Sequence, residues 1–342
     1  MPELRKDPIV DRWVIIAPER AARPHEFTDV PQVVRSAVCP FCEGNERQTP
    51  HEAAALRTPG SLHDGPGWQA RIVPNLFPAL GPAASPRREA KTSSGHATSP
   101  ELFISQPAVG VHEVVIESPT HLVDHGDLPP AHWSAVLRLV RDRMAQLGQT
   151  PGIRYVQHFK NVGEAGGASL EHVHSQLMAL TEVPPAVQAE LEGAEAYHGR
   201  VGRCVFCDLV ECETAAGVRV VEASDQGVVL STYAARFSYE LLVVPRRHSA
   251  DFTKLADRDV DAAAQLLLRT LRRLERALPG ASYNVVLHTA GFDSFSGGYY
   301  HWHWEILPRL AKAAGFEWGT GIHINTVLPE TAAEHLRRIS AD

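Results

Sequence analysis

The amino-acid sequence predicts an α+β protein in which one structural unit occurs twice. The same order of motifs appears in each half of the 342-residue chain: a CxxC pair, an apolar run that ends at a histidine, a helix-like segment, a strand-like segment and a His-x-His pair. The spacing repeats as well, because His121 precedes His172 by 51 residues and His248 precedes His301 by 53. Repetition of both order and spacing within one chain indicates an internal duplication.

The first unit contains each of these elements in turn. The motif CPFC occupies residues 39–42, and the apolar run HEVVIESPTH ends at His121. The residues at 129–148 have the pattern of a helix, and the following IRYVQHFKN has the pattern of a strand. The unit closes with LEHVHSQ, which contains His172.

The second unit repeats the series. CVFC occupies residues 204–207, and the run ELLVVPRRH ends at His248. A helix is predicted over 257–278, followed by the strand-like SYNVVLHTA and by YYHWHWE, which contains His301.

Two further segments organise the chain. Residues 81–100 are rich in Pro, Ser, Gly and Ala and predict a mobile surface loop. The polar residues 181–203 join the units and are predicted to carry some helix. We therefore expect an N-terminal domain over 1–195 and a C-terminal domain over 196–342, with catalysis in the first.

Composition narrows the class of protein. A hydrophobic content of 44% and a charged content of 21% are those of a globular protein, and the net charge of −7 argues against a nucleic-acid partner. No apolar run approaches the roughly 18 residues that span a bilayer. The start MPELRKDPIV does not have the pattern of a signal peptide. We expect a cytoplasmic protein with no membrane partner.

Cysteine and histidine counts indicate metal. Four of the five cysteines form the two CxxC pairs and Cys212 is left over, so a disulfide framework is disfavoured. A redox dithiol and a metal clamp remain, and eighteen histidines favour the clamp.

Each unit then contains the ligands of one zinc site. Two thiolates and two imidazoles make a closed Cys2His2 set, which leaves no position for water and so indicates a structural metal. The alternative is that the histidines cap turns and the cysteines are small buried side chains. The proposed sets are Cys39, Cys42, His121 and His172 for the first zinc, and Cys204, Cys207, His248 and His301 for the second.

His174 is the candidate nucleophile. If residues 172–176 form a strand, His172, His174 and Gln176 lie on one face. With His172 bound to metal, His174 is free on a rigid element, and a neutral imidazole can attack phosphorus. The Gln176 amide can donate to a phosphoryl oxygen. The alternative is that His174 is a hydrogen-bonded polar residue of the core.

The neighbourhood of His174 supports phosphate chemistry in the first unit alone. The glycine-rich stretch upstream, with Asn161 and Ser169, offers donors that can approach a phosphate closely. In the second unit His303 takes the nucleophile position, but Glu305 replaces the glutamine. A carboxylate repels a phosphoryl group, so the second unit is expected to be a non-catalytic copy.

These motifs resemble the galactose-1-phosphate uridylyltransferase family of the histidine-triad superfamily. The resemblance covers most of the chain and rests on the segments VDRWVIIAPERAARP, VPNLFPAL, HEVVIESPTH, FKNVGEAGGASLEHVHSQ and GFEWGTGIHINTVLPETAAEHLR. It implies two tandem histidine-triad-like units, each an antiparallel sheet with packed helices, related by a pseudo-two-fold axis.

The resemblance also implies site roles. His174 would take the nucleotidyl group, His172 would bind zinc, Gln176 would contact the phosphoryl group, and Asn161 and Ser169 would lie near the phosphates. The family's shared site implies a homodimer. The implied substrate-binding residues are Arg20, Arg23, Asn75 and Phe77 on the nucleotide side, and Phe316, Glu317 and Asn325 on the sugar-phosphate side.

The implied reaction is ping-pong transfer of UMP from a UDP-hexose to a hexose 1-phosphate. Two departures leave the base, the sugar and the acceptor open: Val173 replaces the usual proline, and Glu171 precedes the histidine pair. The second metal site looks like the two-zinc arrangement of the ADP-glucose phosphorylase branch, whereas uridylyltransferases often carry iron there. The alternatives are ADP-glucose phosphorylase, a uridylyltransferase for another sugar 1-phosphate, and a non-catalytic nucleotide-sugar-binding protein.

Overall fold

The structure, a computed structural model, describes residues 2–22, 38–82, 107–292 and 296–341. Arg23 and nearly all of the predicted loop at 81–100 lie outside these residues. The strands are β1 (Glu3–Lys6), β2 (Trp13–Ile16), β3 (Ala54–Arg57), β4 (Trp68–Pro74), β5 (Gly110–Ile116), β6 (Tyr155–Val162), β7 (His174–Leu180), β8 (Val220–Ala223), β9 (Gly227–Ser231), β10 (Leu241–Pro245), β11 (Tyr283–His288), β12 (His303–Pro308) and β13 (His323–Asn325). The helices are α1 (Pro130–Gly148), α2 (Pro185–Val201), α3 (Val205–Ala216), α4 (Asp257–Ala277), α5 (Gly315–Thr320) and α6 (Pro329–Arg337).

Strand order shows the duplication directly. Ten strands form one sheet in the order β3-β4-β5-β7-β6-β11-β12-β10-β9-β8. Read inward from either edge, each half has the same order, with β3-β4-β5-β7-β6 matching β8-β9-β10-β12-β11. The two halves join where β6 pairs antiparallel with β11, and all other pairings in this sheet are antiparallel too. The predicted pair of tandem α+β units is confirmed.

The two predicted long helices cover one face of the sheet. Helix α1 begins with Pro130, whose missing N–H costs nothing at the first helical position. Helix α4 carries Asp257 and Asp259 in its first turn, where negative charge interacts favourably with the positive end of the helix dipole. Their apolar stripes, spaced by three or four residues, pack on each other and on the sheet in one hydrophobic core. These bounds match the sequence prediction within one or two residues.

The opposite face differs between the halves. In the second half, α2 and α3 bury it in an apolar cluster that includes Leu191, Phe206 and Leu242. In the first half the cover is smaller, because Phe41 from the CPFC turn packs on Trp68, Val73, Val114 and Ile116.

The chain ends meet in a second, smaller sheet. Strand β2 pairs antiparallel with β1 and parallel with β13. Val14 and Ile16 of β2 pack on Ala234 and Leu328. Within the described ranges, no helix is both long and apolar enough to cross a membrane.

Candidate active site and metal centres

The first CxxC pair lies against both predicted histidines. His172 Nδ1 is 3.5 Å from Cys39 Sγ and 3.7 Å from Cys42 Sγ, and His121 Nδ1 is 3.6 Å from Cys42 Sγ. The four donor atoms lie within 4.8 Å of one another. His172 Nε2 donates to the Ser118 carbonyl at 2.9 Å, so its Nδ1 is the nitrogen left unprotonated toward the sulfurs.

This geometry fits zinc. Zn–S bonds of about 2.3 Å and Zn–N bonds of about 2.0 Å at a tetrahedral angle separate sulfur from nitrogen by about 3.5 Å. The observed separations lie close to that value. A carbonyl bound to the second ring nitrogen is the usual support for a histidine ligand.

The second CxxC pair has the same arrangement. Cys207 Sγ is 3.4 Å from His248 Nδ1 and 3.7 Å from His301 Nδ1. His248 Nε2 donates to the Gly297 carbonyl at 2.9 Å, and Cys204 completes the cluster. Both predicted ligand sets are thus assembled from separate elements of the fold.

A third group of possible ligands was missed by the sequence reasoning. Glu190, His288 and His303 are buried with their donor atoms within 4.8 Å of one another. Burial alone would lower the pKa of His288, but the carboxylates of Glu190 and Glu305 raise it to about 10. Glu190 comes from α2 and is 98 residues before His288 in the sequence, so no spacing pattern showed the group.

His174 is the first residue of β7, and its ring is held by the backbone carbonyl two residues earlier in the sequence. Its Nδ1 donates to the His172 carbonyl at 2.7 Å, so in the neutral ring Nε2 carries the lone pair. Burial lowers the pKa of His174, which favours the neutral form. The Phe41 ring meets the imidazole edge-on at 5.4 Å, which links the CPFC turn to this side chain.

The predicted strand face is present from His174 onward. Ile116 lies opposite His174 and Val114 lies opposite Gln176, so these four side chains share one face. His172 lies before the strand, in a bend, where its ring binds the Ser118 carbonyl instead of continuing the alternation. His172 and His174 are therefore positioned by different contacts.

Beneath the start of β7 lies a buried ion pair that the sequence reasoning did not find. Lys160 Nζ is 2.6 Å from a Glu117 carboxylate oxygen and donates to the His174 carbonyl at 3.0 Å. Both side chains are buried. Burial would raise the pKa of Glu117, but the Lys160 ammonium holds it well below its usual range.

The two predicted phosphate donors border the glycine-rich turn. Asn161 Oδ1 accepts from Asn284 Nδ2 at 2.9 Å, which directs the Asn161 amide nitrogen toward the turn. Gly163 needs to be glycine, because its φ is 71° and a Cβ would stand 2.2 Å from Ser282 Oγ. Ser169 is exposed at the far end of the turn.

Of the predicted nucleotide-side residues that the structure describes, Asn75 is linked to Gln176 through His112, whereas Phe77 and Arg20 are exposed. Asn75 contacts the site, since its Nδ2 lies 3.1 Å from His112 Nε2, and that nitrogen is 2.8 Å from Gln176 Oε1. Phe77 is close by in sequence and 85% exposed. Arg20 is exposed in the short 3-10 turn after β2, and no hydrogen bond within the described part of the chain joins it to His174.

The predicted sugar-phosphate residues belong to the smaller sheet and the helix before it. Phe316 is 44% exposed on α5, and Glu317 accepts from the Ala314 N–H at 2.9 Å. Asn325 is buried, and its side chain binds backbone groups at residues 235, 237 and 327. The structure does not bring these three into contact with His174 across the residues it describes.

In the second half, His303 and Glu305 occupy the positions that correspond to His174 and Gln176. Leu242 lies opposite Glu305 just as Val114 lies opposite Gln176. His303 Nδ1 donates to the His301 carbonyl, as His174 does to His172, but its ring is stacked on His288 at 4.9 Å and lies 4.7 Å from Phe206. The equivalent histidine is buried within packed rings.

Fold and site together define a protein of two tandem α+β units, in which His174 of the first unit lies beside a Cys2His2 cluster. A family profile described as "Galactose-1-phosphate uridyl transferase, N-terminal domain" matches residues 1–184, and one described as "Domain of unknown function (DUF4921)" matches residues 109–340. The chain belongs to the galactose-1-phosphate uridylyltransferase family.

Individual relatives cover nearly the whole chain. ADP-glucose phosphorylase of Arabidopsis thaliana is 37% identical over 99% of this chain and 93% of its own length. Galactose-1-phosphate uridylyltransferase of Thermotoga maritima is 24% identical over the full length of both. The crystal structure of the Arabidopsis thaliana phosphorylase with bound ADP-glucose superposes with a TM-score of 0.82 at 35% identity, covering 99% of this chain and 100% of that one. A structure of uridylyltransferase gives 0.73 at 28% identity, with 99% and 98% covered.

Proposed function

We propose that this protein transfers a nucleotidyl group from a nucleotide-sugar through a covalent intermediate on His174. The observation that carries the proposal is the hydrogen bond from His174 Nδ1 to the His172 carbonyl. Because a carbonyl can only accept, this bond fixes the tautomer and leaves the lone pair of the neutral ring on Nε2. No described residue makes a hydrogen bond to that nitrogen.

The reaction takes two displacements at one phosphorus. In the first, the His174 Nε2 lone pair bonds to the α-phosphorus, the bond to the bridging oxygen breaks, and sugar 1-phosphate leaves with that electron pair. In the second, an oxygen of the acceptor phosphate bonds to phosphorus and the N–P bond returns its pair to the ring. The ring is positively charged between the steps, and the His172 carbonyl stabilises that charge through Nδ1–H.

The neighbouring groups hold the reacting atoms in place. Gln176 offers amide donors to a phosphoryl oxygen, and a neutral donor of this kind stabilises developing negative charge. Zinc bound by Cys39, Cys42, His121 and His172 supplies structural rigidity, since the four ligands close its coordination shell. Because His172 is both ligand and hydrogen-bond acceptor, its metal site orients the nucleophile. The second Cys2His2 set would likewise hold zinc, with iron as the alternative.

The sequence identities to known relatives favour adenine as the base of the nucleotide-sugar. The Arabidopsis thaliana ADP-glucose phosphorylase is 37% identical, whereas the uridylyltransferase of Thermotoga maritima is 24% identical. Phosphorolysis of ADP-glucose, with inorganic phosphate as acceptor, therefore ranks first. Transfer of UMP between UDP-hexose and hexose 1-phosphate, which the sequence reasoning placed first, is the second candidate. A protein that binds nucleotide-sugars without turnover is the third.

Product analysis separates these candidates. The protein is incubated with ADP-glucose or UDP-glucose, each with inorganic phosphate or with galactose 1-phosphate. We expect ADP and glucose 1-phosphate from ADP-glucose and phosphate. UDP-galactose from UDP-glucose and galactose 1-phosphate, in the absence of reaction with ADP-glucose, would overturn the choice of base and acceptor. Binding of both without any product would support the non-catalytic alternative.

We propose a cytoplasmic homodimer in which Phe316 and Glu317 serve the partner's site. Exposed aromatic rings on α5 support this, with Phe316 44% and Trp318 81% exposed. A monomeric mass by light scattering would contradict it. The proposed limit between 195 and 196 falls inside α2, and separate expression of 1–195 tests whether that part folds alone.

A further inference from the structure

We propose that His112 is a positioning residue that sets which end of the Gln176 amide faces the phosphoryl group. This rests on the proposed nucleotidyl transfer and adds a residue to it. A glutamine amide can present either its oxygen or its nitrogen, and only the nitrogen attracts a phosphoryl oxygen. Something must hold the amide in the productive orientation.

The backbone around His112 sets the tautomer of its ring. The backbone N–H of Ala79 lies 3.2 Å from His112 Nδ1 and can only donate. Nδ1 therefore accepts, and in the neutral ring the proton is on Nε2. The Asn75 carbonyl accepts from the Phe77 N–H at 2.9 Å, so its amide nitrogen faces His112 Nε2 at 3.1 Å. Both nitrogens carry protons in this tautomer, so this contact is not a hydrogen bond, and the shorter 2.8 Å contact of Nε2 is with Gln176 Oε1.

The His112 ring in turn sets the orientation of the Gln176 amide. His112 Nε2 lies 2.8 Å from Gln176 Oε1, so the ring N–H donates to the amide oxygen. Turning the amide over would place N–H against N–H and lose this bond. The Gln176 nitrogen is thereby directed away from His112, and it has no hydrogen-bond partner in the stretches of chain that the structure covers.

The two residues are placed by strand register. Val114 of β5 lies opposite Gln176 of β7, and His112 is two residues earlier on the same face. The N–H that fixes the ring comes from the segment after β4, which also carries Asn75 and Phe77. A single chain of contacts thus runs from the predicted nucleotide-side segment to the predicted phosphoryl donor.

The second half shows that the fold itself does not require this pair. The positions that register makes equivalent to His112 and Gln176 hold Glu240 and Glu305. There, Arg236 bridges the two carboxylates at 2.8 and 2.7 Å. Of the two halves, the first has the neutral pair of His112 and Gln176 at these positions, and the second has two carboxylates bridged by an arginine.

A double-mutant cycle tests the proposal. The rate of nucleotidyl-enzyme formation at saturating ADP-glucose is measured for the wild type, His112→Leu, Gln176→Ala and the double variant. We expect Gln176→Ala to lose about 10²–10³-fold and His112→Leu about tenfold. The double variant should be no slower than Gln176→Ala alone, because His112 acts through Gln176. His112→Gln can accept from Ala79 and donate to Gln176, so it should recover most of the rate.

Zinc content and thermal midpoint confirm that each variant is folded. Independent losses that multiply in the double variant, or a His112→Leu rate equal to the wild type, would overturn the proposal. If the wild type forms no adduct with any nucleotide-sugar, the proposed function fails, and ring-15N NMR then decides the positioning claim. A proton on His112 Nε2 supports it, and a proton on Nδ1 overturns it.

Discussion

Lys160 and Glu117 form an ion pair in the core, with 2.6 Å between the ammonium nitrogen and a carboxylate oxygen. The same ammonium donates to the His174 carbonyl, beyond the last paired residues of β6 and β7, Phe159 and Gln176. The pair therefore connects the end of β5, strand β6 and the start of β7. We infer that it holds the backbone of the candidate nucleophile from the side opposite to the substrate.

Breaking this pair should destabilise the fold. Lys160→Met leaves the buried Glu117 carboxylate without its ammonium partner, with the His125 ring 3.6 Å away. We therefore expect a loss of about 3–5 kcal/mol in the free energy of unfolding. Urea denaturation measures it. Lys254→Met is the matched control, because Lys254 is 80% exposed beside Asp251 and should cost less than about 1 kcal/mol. Lys160→Met/Glu117→Leu should regain most of the loss, and an equal effect of both single lysine variants would contradict the account.

Removing one zinc ligand should remove one metal. Elemental analysis of the purified protein is expected to find two zinc ions per chain, and Cys42→Ser should retain one of them and have a lower thermal midpoint. Cys212→Ser changes an exposed cysteine outside both clusters and should match the wild type. Native zinc content in Cys42→Ser would show that this cluster is not a metal site.

The two histidines before β7 should respond differently to substitution. His172→Asn removes a proposed ligand and is expected to lose zinc, thermal stability and adduct formation together. His174→Asn should lose adduct formation while zinc content stays at the wild-type level, because its ring lies outside the cluster. The paired measurements are zinc by elemental analysis and adduct by intact mass. Loss of zinc in His174→Asn would argue against separate roles.

Acid stability depends on Asp64. Burial would raise its pKa, but the Glu52 backbone N–H and the His51 ring lower it to about 2. Its unfolded pKa is about 3.9, so the ionised group stabilises the fold above that pH. The difference in urea midpoint between wild type and Asp64→Asn should be present at about pH 5 and shrink as the pH falls from about 4 toward 2. A difference that stays constant across this window would refute the assignment.

Sequence reasoning found what depends on local pattern and repetition. Helices α1 and α4 could be predicted because their apolar stripes recur every three or four residues. The Cys2His2 sets could be predicted because the same ligand order occurs in both units. Of the pair, His172 lies in the Cys2His2 cluster, and the role of His174 as nucleophile stays a prediction.

What escaped the sequence depends on strand pairing. Nothing near His112 in sequence indicates that Gln176 lies diagonally across β5 and β7. Lys160 and Glu117 are 43 residues apart, and Glu190 reaches His288 across 98 residues. Such contacts follow from register and packing, which one sequence without a fold does not specify.

The most direct test of the account is to locate the nucleotidyl group. The protein is incubated with ADP-glucose, digested at alkaline pH where a nucleotidyl-histidine survives, and its peptides are mapped by mass. We expect AMP on His174 in the wild type and no AMP adduct in the His174→Asn variant. A modification on another residue, or full turnover by His174→Asn, would contradict it.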